Sequence, residues 1–243
     1  MDLLPKKNTW RKTILFYRFL RYRKGFGVHS PFAFTLITRV IDERGGFYCY
    51  YDVELIRRQL VYQGFPAVRG EIKRSHGQLL FRVVNYFKPK HLLQIGSPAG
   101  IATLYLTSYA SDIQCIALEA DSESAQKTDW CVRKYQHAPV QVLAGDYHQT
   151  LPQALQQLKT LDFVFFQTAS RKGENRAWVE EALKHIHPDS VFFFEGIRAN
   201  AEMRQLWKEL CLRPEVVLSF DLYNVGLLFF NPRFHKQNYI VYF

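Results

Sequence analysis

The sequence predicts an α/β fold: a doubly wound, mostly parallel sheet that ends in antiparallel strands and follows a helical extension. Three observations predict it. From residue 91 onward short apolar runs recur, such as Leu92-Leu93, Ile116-Ala117-Leu118 and Phe163-Val164-Phe165-Phe166. Uninterrupted runs of this kind suit strands buried on both faces. A helical stretch follows each run, and strict alternation of strand and helix makes every connection a crossover to a parallel neighbour. After Leu212 the alternation stops, and three strand-like runs follow with no helical pattern between them.

Residues 1–75 read as a helical extension, basic and aromatic, and residues 76–243 as the main domain. Ile14, Leu15, Phe19 and Leu20 are helically spaced, which predicts an amphipathic helix with its apolar face docked on the main domain. Ser30 is placed to cap a helix that starts at Pro31, where proline loses nothing, and runs to about Ile41. Gly45-Gly46 ends that unit. A helix over Gln78–Phe87 stops at Pro89. Then come strand His91–Ile95, helix Gly100–Ala110, strand Ile113–Leu118, helix Ser122–His137, strand Val140–Ala144 and helix Gln149–Thr160. Strand Leu161–Phe166, helix Glu174–His187, strand Ser190–Glu195 and helix Asn200–Leu212 complete the alternation. Val216–Leu222, Val225–Phe230 and Tyr239–Phe243 are the closing strands, with Tyr223-Asn224 as a tight turn. The last two are apolar enough to finish the sheet or to form a dimer edge.

Composition bounds the function. Of 243 residues, 48% are hydrophobic and 22% charged, which is the profile of a folded globular domain and excludes extensive disorder. No apolar stretch is long enough to span a membrane, since Arg18 breaks the best candidate, and no secretory signal is evident. Cys49, Cys115, Cys131 and Cys211 share no metal or redox spacing, and free thiols fit a reducing, cytoplasmic setting. The net charge is +10. Much of it lies near the N-terminus, where Arg11, Lys12, Arg18 and Arg21 interleave with Trp10, Phe16, Tyr17 and Phe19. Such a segment suits nucleic acid or an anionic surface as well as a solvated helix face, but no RNA-recognition motif accompanies it.

In an open α/β sheet a ligand binds beyond the carboxyl ends of the strands. Three strand ends carry residues suited to one. The first is Gln94-Ile95-Gly96-Ser97-Pro98-Ala99-Gly100, where one glycine lets the backbone pass close to a ligand. The second opens a helix whose free N–H groups suit a carboxylate. The second end is Glu119, placed to accept both hydroxyls of a ribose, or else a solvated turn residue. The third is Gly145-Asp146-Tyr147: the carboxylate suits an adenine amino group and the ring suits stacking, although Asp146 is equally placed to cap the next helix.

Together these residues resemble the cofactor motifs of class I S-adenosylmethionine (SAM)-dependent methyltransferases, a Rossmann-like fold, in the branch of small-molecule O-methyltransferases. The resemblance covers residues 76–230. It implies SAM, or its product S-adenosylhomocysteine (SAH), as ligand. Gly96 and Gly100, with Ser97, would flank the methionine end. Glu119, next to Ala120, would hold the ribose, and Asp146 and Tyr147 would lie by the adenine. The segment from Arg21 to Phe32 resembles the N-terminus of uncharacterised methyltransferase-like proteins.

The sequence also departs from the family. Gln94 stands where an acid is usual. Gln167 and Gly196 replace acids that hold a metal in the metal-dependent enzymes, and Ser170, with Arg171 and Lys172 beside it, stands where those acting on catechols carry a lysine. One carboxylate, Glu195, remains of a site needing about three oxygen ligands, so no metal is expected. Glu195 is then the candidate base, with His29 or His148 reaching the site only if the chain folds them over it. Gln94 and Gln167 accept hydrogen bonds without charge, which predicts weak SAM binding. The expectation is a metal-independent SAM-dependent methyltransferase acting on a small acceptor, with the N-terminal segment as lid or acceptor side. A catalytically inactive SAM- or SAH-binding module is the alternative, and an RNA-binding protein ranks below both. A dehydrogenase would need G-x-G-x-x-G, which is absent.

Overall fold

The structure, a computed structural model, describes residues 7–135, 138–167 and 174–243. An eight-stranded sheet has the order β3-β2-β1-β4-β5-β7-β6-β8. Its strands are β1 (His91–Ile95), β2 (Gln114–Glu119), β3 (Val140–Ala144), β4 (Leu161–Gln167), β5 (Ile186–Glu195), β6 (Leu218–Asp221), β7 (Val225–Phe229) and β8 (Gln237–Ile240). β1 to β5 are parallel, β7 pairs antiparallel with both β5 and β6, and β8 returns parallel to β6. The doubly wound, mostly parallel sheet with an antiparallel C-terminal hairpin is therefore present.

Alternation along each strand builds two cores. Leu92, Phe163, Phe165 and Phe193 face one side, which is covered by α4 (Arg74–Phe87) and α5 (Ile101–Thr107). Leu93, Val164, Phe166, Phe192 and Phe194 face the other, with Leu151 from α7 (Tyr147–Leu158), Trp178 from α8 (Asn175–Leu183) and Trp207 from α9 (Ala201–Leu212). Each buried phenyl contributes about 2 kcal/mol. The first core also takes in Ala33 and Leu36 of α2 (Pro31–Leu36) and Val53 and Leu60 of α3 (Tyr48–Tyr62), so residues 31–72 share the core of the main sheet. α6 (Ser122–Tyr135) connects β2 to β3.

Local chemistry explains the boundaries. Ser30 Oγ accepts from Ala33 N–H at 3.3 Å, so the cap before Pro31 is present, and the helix ends in a π-turn over Ile37–Ile41. At Asp221 the chain turns through Tyr223, in the left-handed region at φ 75°, and re-enters the sheet at Val225. β5 begins earlier than expected, at Ile186, because the segment from His187 to Ser190 bulges out between Ile186 and Val191. Pro188 lies within that bulge, where its missing N–H costs no ladder bond.

The N-terminal helix α1 (Lys7–Arg21) reverses its expected packing. Ile14 and Leu20 are 40% and 63% exposed and Phe19 is exposed too, whereas Arg18 is buried. The cause is Asp221 at the end of β6, a mostly buried carboxylate that takes Arg18 Nη1 at 3.0 Å and Arg198 Nη2 at 2.6 Å. Burial works to raise the Asp221 pKa, but Arg198 and Arg18 outweigh it and hold the carboxyl below its ordinary range.

Candidate functional site

The carboxyl ends of β1, β2 and β3 are tied together by the backbone. Gly96 N–H donates to Leu118 O at 3.0 Å, and Gly145 N–H to Glu119 O at 2.9 Å. Gly96 and Gly100 have φ of 78° and 73°. A Cβ on Gly100 would sit 2.9 Å from Thr128 Cα, so only glycine permits α6 to pack under the loop. Three of the expected cofactor positions, Gly96, Ser97 and Gly100, therefore form one turn above Glu119.

Glu119 points into the protein and is 2% exposed, which excludes the solvated-turn alternative. It accepts from Ser97 N–H at 3.4 Å and Thr128 Oγ1 at 3.2 Å. Burial, reinforced by the Glu71 carboxylate, pushes its pKa up to about 8. Ala120 follows it, half-buried.

Glu71, in the linker before α4, is a site residue that sequence reasoning missed. Its carboxylate accepts from Ser97 Oγ at 3.0 Å, Ala99 N–H at 2.6 Å and Ile101 N–H at 3.4 Å. Ile72 N–H adds a fourth bond at 3.3 Å. The N–H groups expected to be free for a ligand are thus held by the chain's own carboxylate. No motif marks Glu71, because it lies between the extension and the first helix of the sheet domain.

Gln94 and Gln167 lie beside this loop. Gln94 is fully buried and neither amide atom has a partner, while Gln167 donates from Nε2 to Gly70 O at 2.6 Å and keeps Oε1 unpaired. Gln167 also borders Gly96, whose Cβ position lies 3.8 Å from Gln167 Cβ. Buried amides without partners cost stability, so each calls for a water, an ion or a ligand group to complete its bonding.

The third strand end divides. Asp146 is exposed and caps α7, Oδ1 accepting from His148 N–H at 3.0 Å. Tyr147 corrects the stacking expectation. Its ring is buried edge-on against Trp178 with centroids 4.8 Å apart, and its hydroxyl donates to Leu118 O at 3.2 Å. Packing against α8 holds it in the core beneath the loop, with no free face for a base.

At the end of β5, Glu195 accepts from His76 Nδ1 on α4 at 2.9 Å. This histidine was not expected. His29 and His148 are both exposed, and the structure gives neither a bond to Glu195. Next to it, Gly196 has φ 86°, a conformation that an aspartate there would adopt only under strain. Ser170, Arg171 and Lys172 lie outside the described residues. A cleft of about 440 Å³ lies beside His76, lined also by Ile41, Arg44, Ser75, Tyr242 and Phe243.

No protein-family model matches the chain, and no curated protein matches it in sequence. Solved structures do match in fold. An O-methyltransferase from Bacillus cereus in complex with SAH superposes with a TM-score of 0.60 at 19% identity, over 76% of this chain and 92% of the other. The SAH-bound methyltransferase of Podospora anserina gives 0.63 at 14% identity over 95% and 99%. An O-methyltransferase of Streptomyces achromogenes, involved in tomaymycin synthesis and in complex with SAM, gives 0.58 at 14% over 94% and 100%. The chain has the class I methyltransferase fold, including the reversed β7 between β5 and β6.

Proposed function

We propose that this chain is a metal-independent, SAM-dependent methyltransferase acting on a small hydroxyl-bearing acceptor. The observation that carries the reading is the meeting of the glycine loop, buried Glu119 and exposed Asp146 at the ends of β1, β2 and β3, in this sheet order. The residues present fit the cofactor. Unpaired acceptors on Gln94 and Gln167 suit the ammonium of its methionine end, and Glu119 and Asp146 offer acceptors to ribose and adenine. When bound, SAM supplies an electrophilic methyl group, and holding it in line with an acceptor in a dry site provides much of the rate.

The chain supplies the base. With the Nδ1 proton of His76 donated to Glu195, Nε2 is left basic and takes the proton of an acceptor hydroxyl, and Glu195 stabilises the resulting imidazolium. Glu195 thus serves as the partner of the base. α1 is anchored at the end of β6 through Arg18 and Asp221, a carboxylate that Arg198, just after β5, also holds, which supports the N-terminal segment as the acceptor side. The free thiols of Cys49, Cys115, Cys131 and Cys211 support a reducing, cytoplasmic location.

Calorimetric titration of SAM and SAH, with Glu119→Ala and Asp146→Ala as controls, tests the cofactor. Binding by the native chain and loss in both variants is expected, and no binding at millimolar ligand would sink the reading. A screen of hydroxylated small molecules with mass-spectrometric detection then tests turnover. His76→Gln should lower kcat by about 100-fold or more with SAM affinity unchanged. The second reading, a SAM- or SAH-binding module without turnover, is favoured by the Glu71 carboxylate on the loop donors. It predicts binding with no product for any acceptor.

A further inference from the structure

The Gly70-Glu71 unit is held as a ligand would be. The Glu71 carboxylate takes Ser97 Oγ and the Ala99 and Ile101 N–H groups, and the Gly70 carbonyl takes Gln167 Nε2. Both residues are gripped from the ends of β1 and β4, the place the proposed cofactor's methionine end would occupy. The grip is incomplete. Gln94, fully buried, has both amide atoms unpaired, and Gln167, nine-tenths buried, has Oε1 unpaired. The Oε1 atoms of Gln94 and Gln167 ask for a donor that a carboxylate side chain lacks and that an ammonium carries, and Gln94 Nε2 asks for an acceptor.

We infer that Glu71 is a resident competitor, which occupies the carboxylate subsite of the cofactor and must leave for SAM to bind. The inference rests on the cofactor reading above. Simultaneous occupancy is excluded by the donors: Glu71 already takes Ser97 Oγ and the Ala99 and Ile101 N–H groups, and Glu119 takes Ser97 N–H, so a ligand carboxylate would find none of them free. Departure is chemically provided for. Arg57, paired with Glu54 through Nε at 3.1 Å, donates from Nη2 to Ile72 O at 2.7 Å, which puts a cation shared with Glu54 on the same stretch of backbone as the displaced carboxylate. Glu71 thereby sets the cofactor affinity without touching the acceptor.

The test compares native chain, Glu71→Ala and Glu71→Gln. Calorimetry with SAM should show Glu71→Ala binding about 10-fold or more tighter than native, because the competing state is removed. A second readout needs no SAM. Free L-methionine titrated during amide NMR should shift the Ala99 and Ile101 resonances in Glu71→Ala and leave the native ones still. Glu71→Gln keeps the shape of the side chain, so it reads the same trend if the alanine variant melts early. SAM binding equally or more tightly to native than to either variant overturns the competitor and leaves the cofactor reading standing. SAM binding to none of the three, with methionine still shifting Ala99 and Ile101 in the variant, keeps the competitor and ends the cofactor reading. Silence in both experiments ends both.

Discussion

At the scale of single residues, Glu119 is where burial decides the chemistry. Its carboxyl sits against Ser97 and Thr128, and burial with the nearby Glu71 pushes it up to about 8. The folded chain therefore keeps a proton that the unfolded chain releases in the ordinary carboxylate range. This contribution to stability is fully present below that range and is lost as pH rises toward about 8. Glu119→Gln keeps an acceptor and removes the charge. Denaturant melts should show little difference from native at pH 5 and a gain of roughly 2–4 kcal/mol at pH 9. An equal difference at both pH values would refute the assignment. Hydroxyl donors from a ribose favour the ionised form, so SAM affinity should rise between about pH 7 and 9. The charge-free amides of Gln94 and Gln167 carry the opposite sign for affinity. Submicromolar SAM binding by the native chain would show that uncharged acceptors suffice.

At the scale of elements, close approach is set by glycines that the apolar pattern does not reveal. A Cβ on Gly77 would lie 2.4 Å from the Tyr105 ring, so α4 rests directly on α5 there. Gly77→Ala should cost about 2–4 kcal/mol by pushing the helices apart, and should weaken the adjacent His76–Glu195 bond. Gly46→Ala, which meets nothing within 4 Å, should change stability by less than about 0.5 kcal/mol. Chemical denaturation of the two variants side by side checks both. The same glycine explains a limit of the sequence reading. Arg74 to Gly77 lack an apolar period and a side-chain cap, so the helix reads as starting at Gln78, and His76 is left in a linker. β1 and β3 were legible to the residue, because their apolar runs end at charge or glycine. The early start of β5 was not, because its bulge depends on Ser190 Oγ donating to Leu161 O, a contact 29 residues away in sequence. The glycine loop and Glu119 were legible because local turns impose them. Glu71 and His76 were not, because only the tertiary fold brings them to the strand ends.

At the scale of the molecule, α1 separates folding from function. Among its described side chains Arg18 alone is buried, on a carboxylate that Arg198 also holds, while Trp10, Phe16 and Leu20 are exposed. Tyr223, in the hairpin turn, has the guanidinium groups of Arg18 and Arg198 at 5.4 and 5.0 Å from its ring centre, and Phe19 meets Tyr242 edge-on at 5.3 Å, so the helix is held on the hairpin turn and on the C-terminal segment. Removing residues 1–21 therefore leaves Asp221 paired and the sheet intact, while Tyr22 O keeps its bond from Tyr242 N–H. The shortened chain should stay cooperative in thermal melts and lose about 1–3 kcal/mol, the worth of one partner in a shared ion pair with its packing. SAM affinity should stay within about threefold of native, because every expected contact with the cofactor lies beyond residue 70. Acceptor turnover should fall, since α1 is anchored at Asp221, whose strand end lies on the same edge of the sheet as that of Glu195. Loss of SAM binding together with turnover would place α1 in the cofactor site, and unchanged turnover would detach it from the chemistry altogether.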